Sequence, residues 1–263
     1  MPELADVEGY RRYLSRYAKG KRIEGVEAPA PDLLRNTSAS ALGRALRGRR
    51  FAAPDRHGKW LIARTDGDPA VLMHFGMTGD LAWSADGPAD RHPHDRVVFR
   101  LAGHEELRYR NMRKFGGIWL ARSDSEIGRI TGPLGPDALD VDREAFDGLL
   151  ASRRGGVKAA LMNQRLLAGI GNELSDEILW RARINPAKGL GSLGRRARDR
   201  IFEAMREVLT ESVRHGRIPR KPGWIEEVRG TTDARCPRCG TKLRRTTVAG
   251  RTAYWCPRDQ RRR

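Results

Sequence analysis

Cysteine is nearly absent from this chain: of 263 residues only Cys236, Cys239 and Cys256 carry a thiol, all close to the C-terminus. Three thiols cannot staple a disulfide-dense secreted scaffold; they point to a metal knuckle in a reducing cytoplasm. No long apolar run and no signal peptide stand out, which leaves membrane insertion without support. Lysine is also scarce, eight of 51 basic residues, so each one is comparatively informative. Acidic residues number only 33, and the formal charge of +18 with a pI near 10.8 makes a field that attracts polyanions. Nucleic acid is therefore the first partner to consider. A solubility device or a ribosome-associated role is the blander alternative.

The length allows two modest domains, each with its own core. Val7, Tyr10, Leu14 and Tyr17 recur at helical spacing, and Ser38 to Gly48 forms a second amphipathic segment that Gly48 stops. Elsewhere in the first 122 residues the period is two. "RIEGVEA", "RRFAAPDRHGKWLIAR", "AVLMHFGMTGDLAW", "DRVVFRLAG" and "ELRYRNMRKFGGIWLAR" predict strands separated by Asp-Gly and Gly-rich turns. From Asp142 the spacing turns helical through "REAFDGLLASRR", "VKAALMNQRL", "ELSDEILWRARI" and "ARDRIFEAMREVLTESVRHG". The expected fold is α+β and multidomain: an N-terminal β-sandwich with flanking helices over 1–135, a helical domain over 136–228, and a finger-like β-hairpin with a basic tail over 229–263. Arg261, Arg262 and Arg263 are expected to fray and to add non-specific phosphate attraction.

Two short stretches carry chemistry of their own. The start, Met1-Pro2-Glu3, yields a free secondary amine at Pro2 once the initiator Met is removed. An α-amine titrates some 2–3 units below a lysine, so far more of it is nucleophilic near pH 7. Attack on a sugar C1′ gives an iminium cation directly, an electron sink for later eliminations, with Glu3 beside it as general acid and base. At the other end, Cys236-Pro237-Arg238-Cys239 and Cys256-Pro257-Arg258-Asp259 have the spacing of a four-cysteine zinc site with aspartate at the last corner. Either Asp259 completes a structural zinc site, or the hairpin is metal-free and held by packing of Tyr254 and Trp255.

"MPELADVE", "HFGMTG", "RNMRKFGG", "LGPDAL", "NQRLLAGIGNELSDEILWRARINP" and the cysteine hairpin occur in one order. Together they resemble the formamidopyrimidine-DNA glycosylase and endonuclease VIII family, on the formamidopyrimidine side, over nearly the whole chain. That resemblance implies a β-sandwich joined to a helix–two-turn–helix domain with a zinc finger, acting as a monomer on duplex DNA with damaged bases or abasic sites. It implies that Pro2 is the Schiff-base nucleophile, that Glu3 donates and accepts protons, and that Lys59, read on a strand, contacts the phosphate and lesion region. Met77, Arg113 and Phe115 correspond to the side chains that fill the gap left by a flipped base, a task that suits an adaptable thioether, a hydrogen-bonding guanidinium and a wedge. His74, Lys158, Asn172 and Arg251 correspond to DNA-contacting residues. Asn172 is also expected to cap the helix that follows Gly169-Ile170-Gly171.

Each has a plainer reading: Lys59 as a surface lysine, His74 as a satisfied structural histidine, Met77 and Phe115 as core. Departures from the family pattern are Ala5, Asp6, Glu173, Leu174 and the surroundings of "KPGW"; they bear on lesion preference more than on catalysis. The implied activity is glycosylase with apurinic/apyrimidinic lyase on oxidised purines, with structural zinc and no redox or nucleotide cofactor, located in the cytoplasm at the nucleoid. The alternatives are an endonuclease VIII-like preference for oxidised pyrimidines and a catalytically idle damage sensor.

Overall fold

The computed structural model describes residues 1–261, so the tail reading for Arg262 and Arg263 lies outside the described residues. Tertiary packing divides the chain into two units. One holds Met1–Pro2 and Asp6–Pro133; the other holds Glu3–Ala5 and the chain from Leu134 onward.

In the first unit, period-two alternation produces two four-stranded antiparallel sheets. Helix α1 (Leu4–Tyr17) precedes β1 (Ile23–Glu27), and α2 (Ala39–Leu46) precedes β2 (Asp55–His57), β3 (Trp60–Thr65), β4 (Gly67–His74) and β5 (Gly79–Ser84). Strands β6 (Asp95–Leu101), β7 (Glu105–Asn111) and β8 (Gly117–Ala121) complete the set. The sheet orders are β1-β6-β7-β5 and β2-β3-β4-β8. Leu61, Ala63, Val71 and Met73 alternate inward to meet Val97, Phe99, Leu107 and Tyr109 in one core. The opposite faces of β3 and β4 present Ile62, Ala70 and Leu72, which Ile127 and Ile130 of α3 (Asp124–Thr131) cover. Such two-sided burial gives β4 its continuous apolar run.

Helix α3 was not among the expected elements, yet its signal is in the sequence. Ser123 caps it by accepting from the Glu126 N–H at 3.3 Å, and the Glu126 carboxylate accepts from the Arg122 N–H at 2.6 Å. Ser-x-x-Glu before an apolar residue is a helix start.

The second unit is helical. It comprises α4 (Arg143–Ala151), α5 (Val157–Met162), α6 (Asn172–Arg181) and α7 (Arg195–His215) around Phe146, Leu161, Ile178, Met205 and Val208. A short α8 (Ile225–Val228) leads to the hairpin of β9 (Arg244–Val248) and β10 (Arg251–Trp255). Trp180, Ile225, Leu243 and the buried thiols Cys236 and Cys256 form a small core beneath the hairpin. No helix among the described residues is long and apolar enough to cross a membrane.

Candidate functional site

Glu3 is fully buried, and its carboxylate sits on the N-terminus of α6. Oε2 accepts from the N–H groups of Gly171 at 2.7 Å and Leu174 at 3.2 Å, and Oε1 accepts from Glu173 N–H at 2.9 Å. These are the donors a helix start leaves unpaired, and a carboxylate is the acceptor its dipole favours. The backbone locks in alongside: Leu4 N–H donates to Gly169 O at 3.1 Å. Gly169 has φ +108°, and a Cβ there would lie 2.3 Å from Leu4 Cδ1, so only glycine admits this approach.

That arrangement corrects the expectation for Asn172. The N-cap residue is Gly171, without a side-chain cap, and the capping acceptor is Glu3 from 168 residues upstream. Asn172 is the first residue inside the helix, and its amide oxygen is buried without a hydrogen-bond partner.

Lys158 is corrected too. Rather than reaching outward to a phosphate, it is fully buried on α5 and ion-paired with Asp176. Burial pulls its pKa down while the Asp176 charge opposes this. The second Asp176 oxygen accepts from Arg229 Nη1 at 2.7 Å and from Tyr254 N–H at 3.1 Å, so one buried carboxylate joins α5, α6, the segment after α8 and the hairpin. Arg251 is exposed, the first residue of β10 after the Ala249-Gly250 turn, where both residues have positive φ as a two-residue hairpin requires.

In the first unit, Lys59 lies in the turn joining β2 to β3 rather than on a strand, because Gly58 takes φ +55° and reverses the chain. Its charge acts on His74, whose pKa is pushed down to about 4, first by burial and then by Lys59. His74 Nδ1 accepts from Gly76 N–H at 3.3 Å, which leaves the proton of the neutral ring on Nε2 as a donor.

Met77, Arg113 and Phe115 are brought to one exposed edge by two backbone loops packed against each other. Met77 is 37% and Phe115 51% exposed, so neither is core, and the Arg113 guanidinium lies 5.1 Å from the Phe115 ring centre. The fully buried Asn111 holds both loops: its Nδ2 donates to Phe115 O at 2.9 Å and Phe75 O at 3.3 Å, and its Oδ1 accepts from Thr78 at 3.2 Å. Tyr109 donates to His74 O at 2.8 Å. Gly76 has φ +61°, and a Cβ there would fall 1.5 Å from Phe115 O. Asn111, Tyr109 and Gly76 were missed as functional positions. Asn111 and Gly76 lie inside quoted motifs, but nothing in the residue types announces the clamp.

In the finger, the Sγ atoms of Cys236, Cys239 and Cys256 and an Asp259 carboxylate oxygen lie within 4.8 Å of one another. Cys239 and Cys256 Sγ are 3.5 Å apart, and Cys236 Sγ is 3.8 Å from Asp259 Oδ2. A tetrahedral zinc with bonds of about 2.3 Å to sulfur has ligand–ligand edges of about 3.8 Å. The donor set fits structural zinc. Trp180 Nε1–H points at Cys236 Sγ from 3.3 Å, the kind of donor that orients a thiolate ligand.

Three family models match the chain in sequence order: the formamidopyrimidine-DNA glycosylase N-terminal domain over residues 1–118, the formamidopyrimidine-DNA glycosylase H2TH domain over 134–221, and the zinc finger found in FPG and IleRS over 235–262. Among curated relatives, the formamidopyrimidine-DNA glycosylase of Salinispora arenicola is 36% identical over 99% of this chain and 96% of its own length. That of Moorella thermoacetica is 36% identical over 93% and 94%. Among solved structures, the Lactococcus lactis enzyme bound non-covalently to DNA containing an abasic site superposes with a TM-score of 0.89 at 29% identity, covering 99% of this chain and 100% of that one. The same enzyme with DNA containing a formamidopyrimidine lesion superposes with a TM-score of 0.88, also at 29% identity, covering 98% and 100%.

Proposed function

Since this chain belongs to the formamidopyrimidine-DNA glycosylase family, we infer that it removes oxidised purines from duplex DNA and then cuts the backbone as an apurinic/apyrimidinic lyase. Pro2, as the first residue of the processed chain, attacks C1′ of the damaged nucleotide through its secondary amine. Its C1′–N bond forms as the C1′–N bond to the base breaks; the Pro2 nitrogen then gives up its proton, and its lone pair expels the ring oxygen O4′, which opens the sugar and leaves an iminium at C1′. That iminium acidifies the C2′ protons, so loss of one expels the 3′ phosphate; a second elimination expels the 5′ phosphate. Glu3 relays protons in these steps, and accepting three N–H groups fixes its carboxyl beside Pro2 in the chain. That cradle is the observation carrying the reading.

Lys59 and the neutral Nε2–H of His74 bind phosphate near the lesion, and Asn172 and Arg251 hold backbone phosphates. Met77, Arg113 and Phe115 enter the stack; their exposure on a glycine-locked edge suits that task. Lys158 acts internally, fixing α5 to α6 through Asp176. Asp259 completes the zinc set with the three thiolates, and zinc, when bound, only holds the finger in shape. The work divides among residues 1–135, 136–228 and 229–263, in a monomer at the nucleoid in the cytoplasm.

The test is borohydride trapping on abasic duplex together with cleavage of a lesion panel. The processed enzyme is expected to trap covalently, and a blocked N-terminus to abolish trapping. Trapping that survives the block but disappears in Lys59→Ala would show that the nucleophile is Lys59. Preferential excision of oxidised pyrimidines would overturn the substrate.

A further inference from the structure

A second cationic surface lies where the Pro2 chemistry has no use for it. Residues 20–23 run antiparallel to 48–51: Gly20 N–H donates to Phe51 O at 2.7 Å, Ile23 N–H to Arg49 O at 2.8 Å, and Arg22 sits opposite Arg50. This pairing gathers Lys19, Arg22, Arg47, Arg49 and Arg50, all exposed, on one edge of the sandwich. Nearby carboxylates are already committed. Glu105 pairs with Lys21, Asp66 Oδ1 accepts from the Arg50 backbone N–H at 3.0 Å, and Glu24 is 3.9 Å from Arg22. Among the described residues, Lys19, Arg47 and Arg49 have no carboxylate within salt-bridge distance. Arg47 follows the last turn of α2, where a cation suits the helix end; that accounts for one charge and not for the others.

Distance separates this edge from the reaction. It lies at the far end of α1, whose 14 residues rise about 21 Å from the Pro2 end. At physiological salt the Debye length is about 8 Å, so the field of these cations is largely screened at Pro2. Its chemistry favours phosphodiester over protein: the guanidinium forks match phosphate oxygens, and the exposed large hydrophobics, Met1, Met77, Met112 and Phe115, all lie elsewhere in sequence. We propose that the ribbon of residues 19–23 and 47–50 is a second binding surface for the phosphate backbone of duplex DNA, letting the enzyme hold an undamaged segment while another occupies the lesion site. It goes beyond the reaction inferred above and rests on that reading for its first duplex.

The experiment uses the full chain with its lesion site saturated by a short duplex carrying an uncleavable abasic analogue, and follows binding of a fluorescent undamaged duplex. The variant Lys19→Gln/Arg47→Gln/Arg49→Gln is expected to bind that duplex at least a hundredfold more weakly (~10² or more) near 50 mM salt and to flatten the log–log salt slope by about two to three. Lys19→Gln and Arg49→Gln alone should each flatten it by about one, and cleavage of a short damaged duplex should stay unchanged in all three. Wild-type binding of the undamaged duplex by the triple variant overturns the proposal, as does displacement by polyglutamate with no duplex binding. If the wild-type enzyme cuts no damaged duplex, the Pro2 reading fails instead, while the comparison on undamaged DNA still decides this one.

Discussion

Replacing Glu3 by glutamine removes a negative charge from the N-terminus of α6 and swaps one acceptor for a donor. The glutamine oxygen can keep the Gly171 and Leu174 N–H bonds made by Oε2, but its NH2 group then faces the Glu173 N–H, donor against donor. Losing a charge-assisted hydrogen bond costs about 1.5–3 kcal/mol, and losing the charge at a buried helix start adds about 0.3–2 kcal/mol. The expected local destabilisation is therefore about 2–5 kcal/mol. Activity cannot report this, because loss of proton transfer and loss of site shape would both be read as the same fall in turnover. Native-state hydrogen exchange can: protection of the Gly171, Glu173 and Leu174 amides should fall by roughly 30-fold to several thousandfold. Protection within about 0.5 kcal/mol of wild type would refute the cradle, leaving Glu3 with a chemical role alone.

Met77→Ala should slow removal of a damaged base while sparing cleavage of a preformed abasic site; equal loss on both substrates would make Met77 a packing residue. Asp259→Cys should hold zinc more tightly and Asp259→Ala should lose it, read by metal analysis of purified protein; a zinc-free parent with full DNA affinity would sink the metal reading. Glu177, buried on α6 and accepting from Ile225 N–H at 2.9 Å, has its pKa pushed up to about 7 by burial from a usual 4.5. The folded state thus keeps a proton that the unfolded chain releases, so stability should fall by about 3 kcal/mol as pH rises from about 4.5 through 7. Burial raises the Glu226 carboxyl to about 7 as well and adds a slope of its own, so Glu177→Gln should reduce the parent's slope in denaturant titrations at pH 5 and pH 8 rather than abolish it, and a slope equal to the parent's would contradict the assignment.

Periodicity and turn chemistry made most of the architecture legible. Alternation in β3 and β4 and the 3–4 spacing of α7 reflect burial on fixed faces, which any sequence carries in its own order. The cysteine knuckles were legible because their spacing is local. What escaped was long-range. Glu3 meets its helix across 168 residues, so the composition around Asn172 pointed to a local cap that the chain does not use. Lys158 was expected to contact DNA; its buried pairing escaped because its partner Asp176 sits one helix further on, and burial of a lysine depends on that partner. The turn at Lys59 hinged on one positive-φ glycine, and α3 was overlooked although Ser123 and Glu126 spell out its start.

Residues 3–5 belong to the unit whose other residues begin at Leu134. A ribosome adding about 5–20 residues per second completes the Glu3 cradle roughly 8–34 seconds after Glu3 itself is made. Through that interval the first residues of α1 extend from a growing sandwich with a carboxylate that has no helix to cap. The Glu3 cradle therefore cannot form before the second unit exists. On the proposed reading, a truncated product ending near Pro133 would carry the Pro2 amine with its neighbouring acid untethered, so an unfinished chain should present no ordered site to the genome.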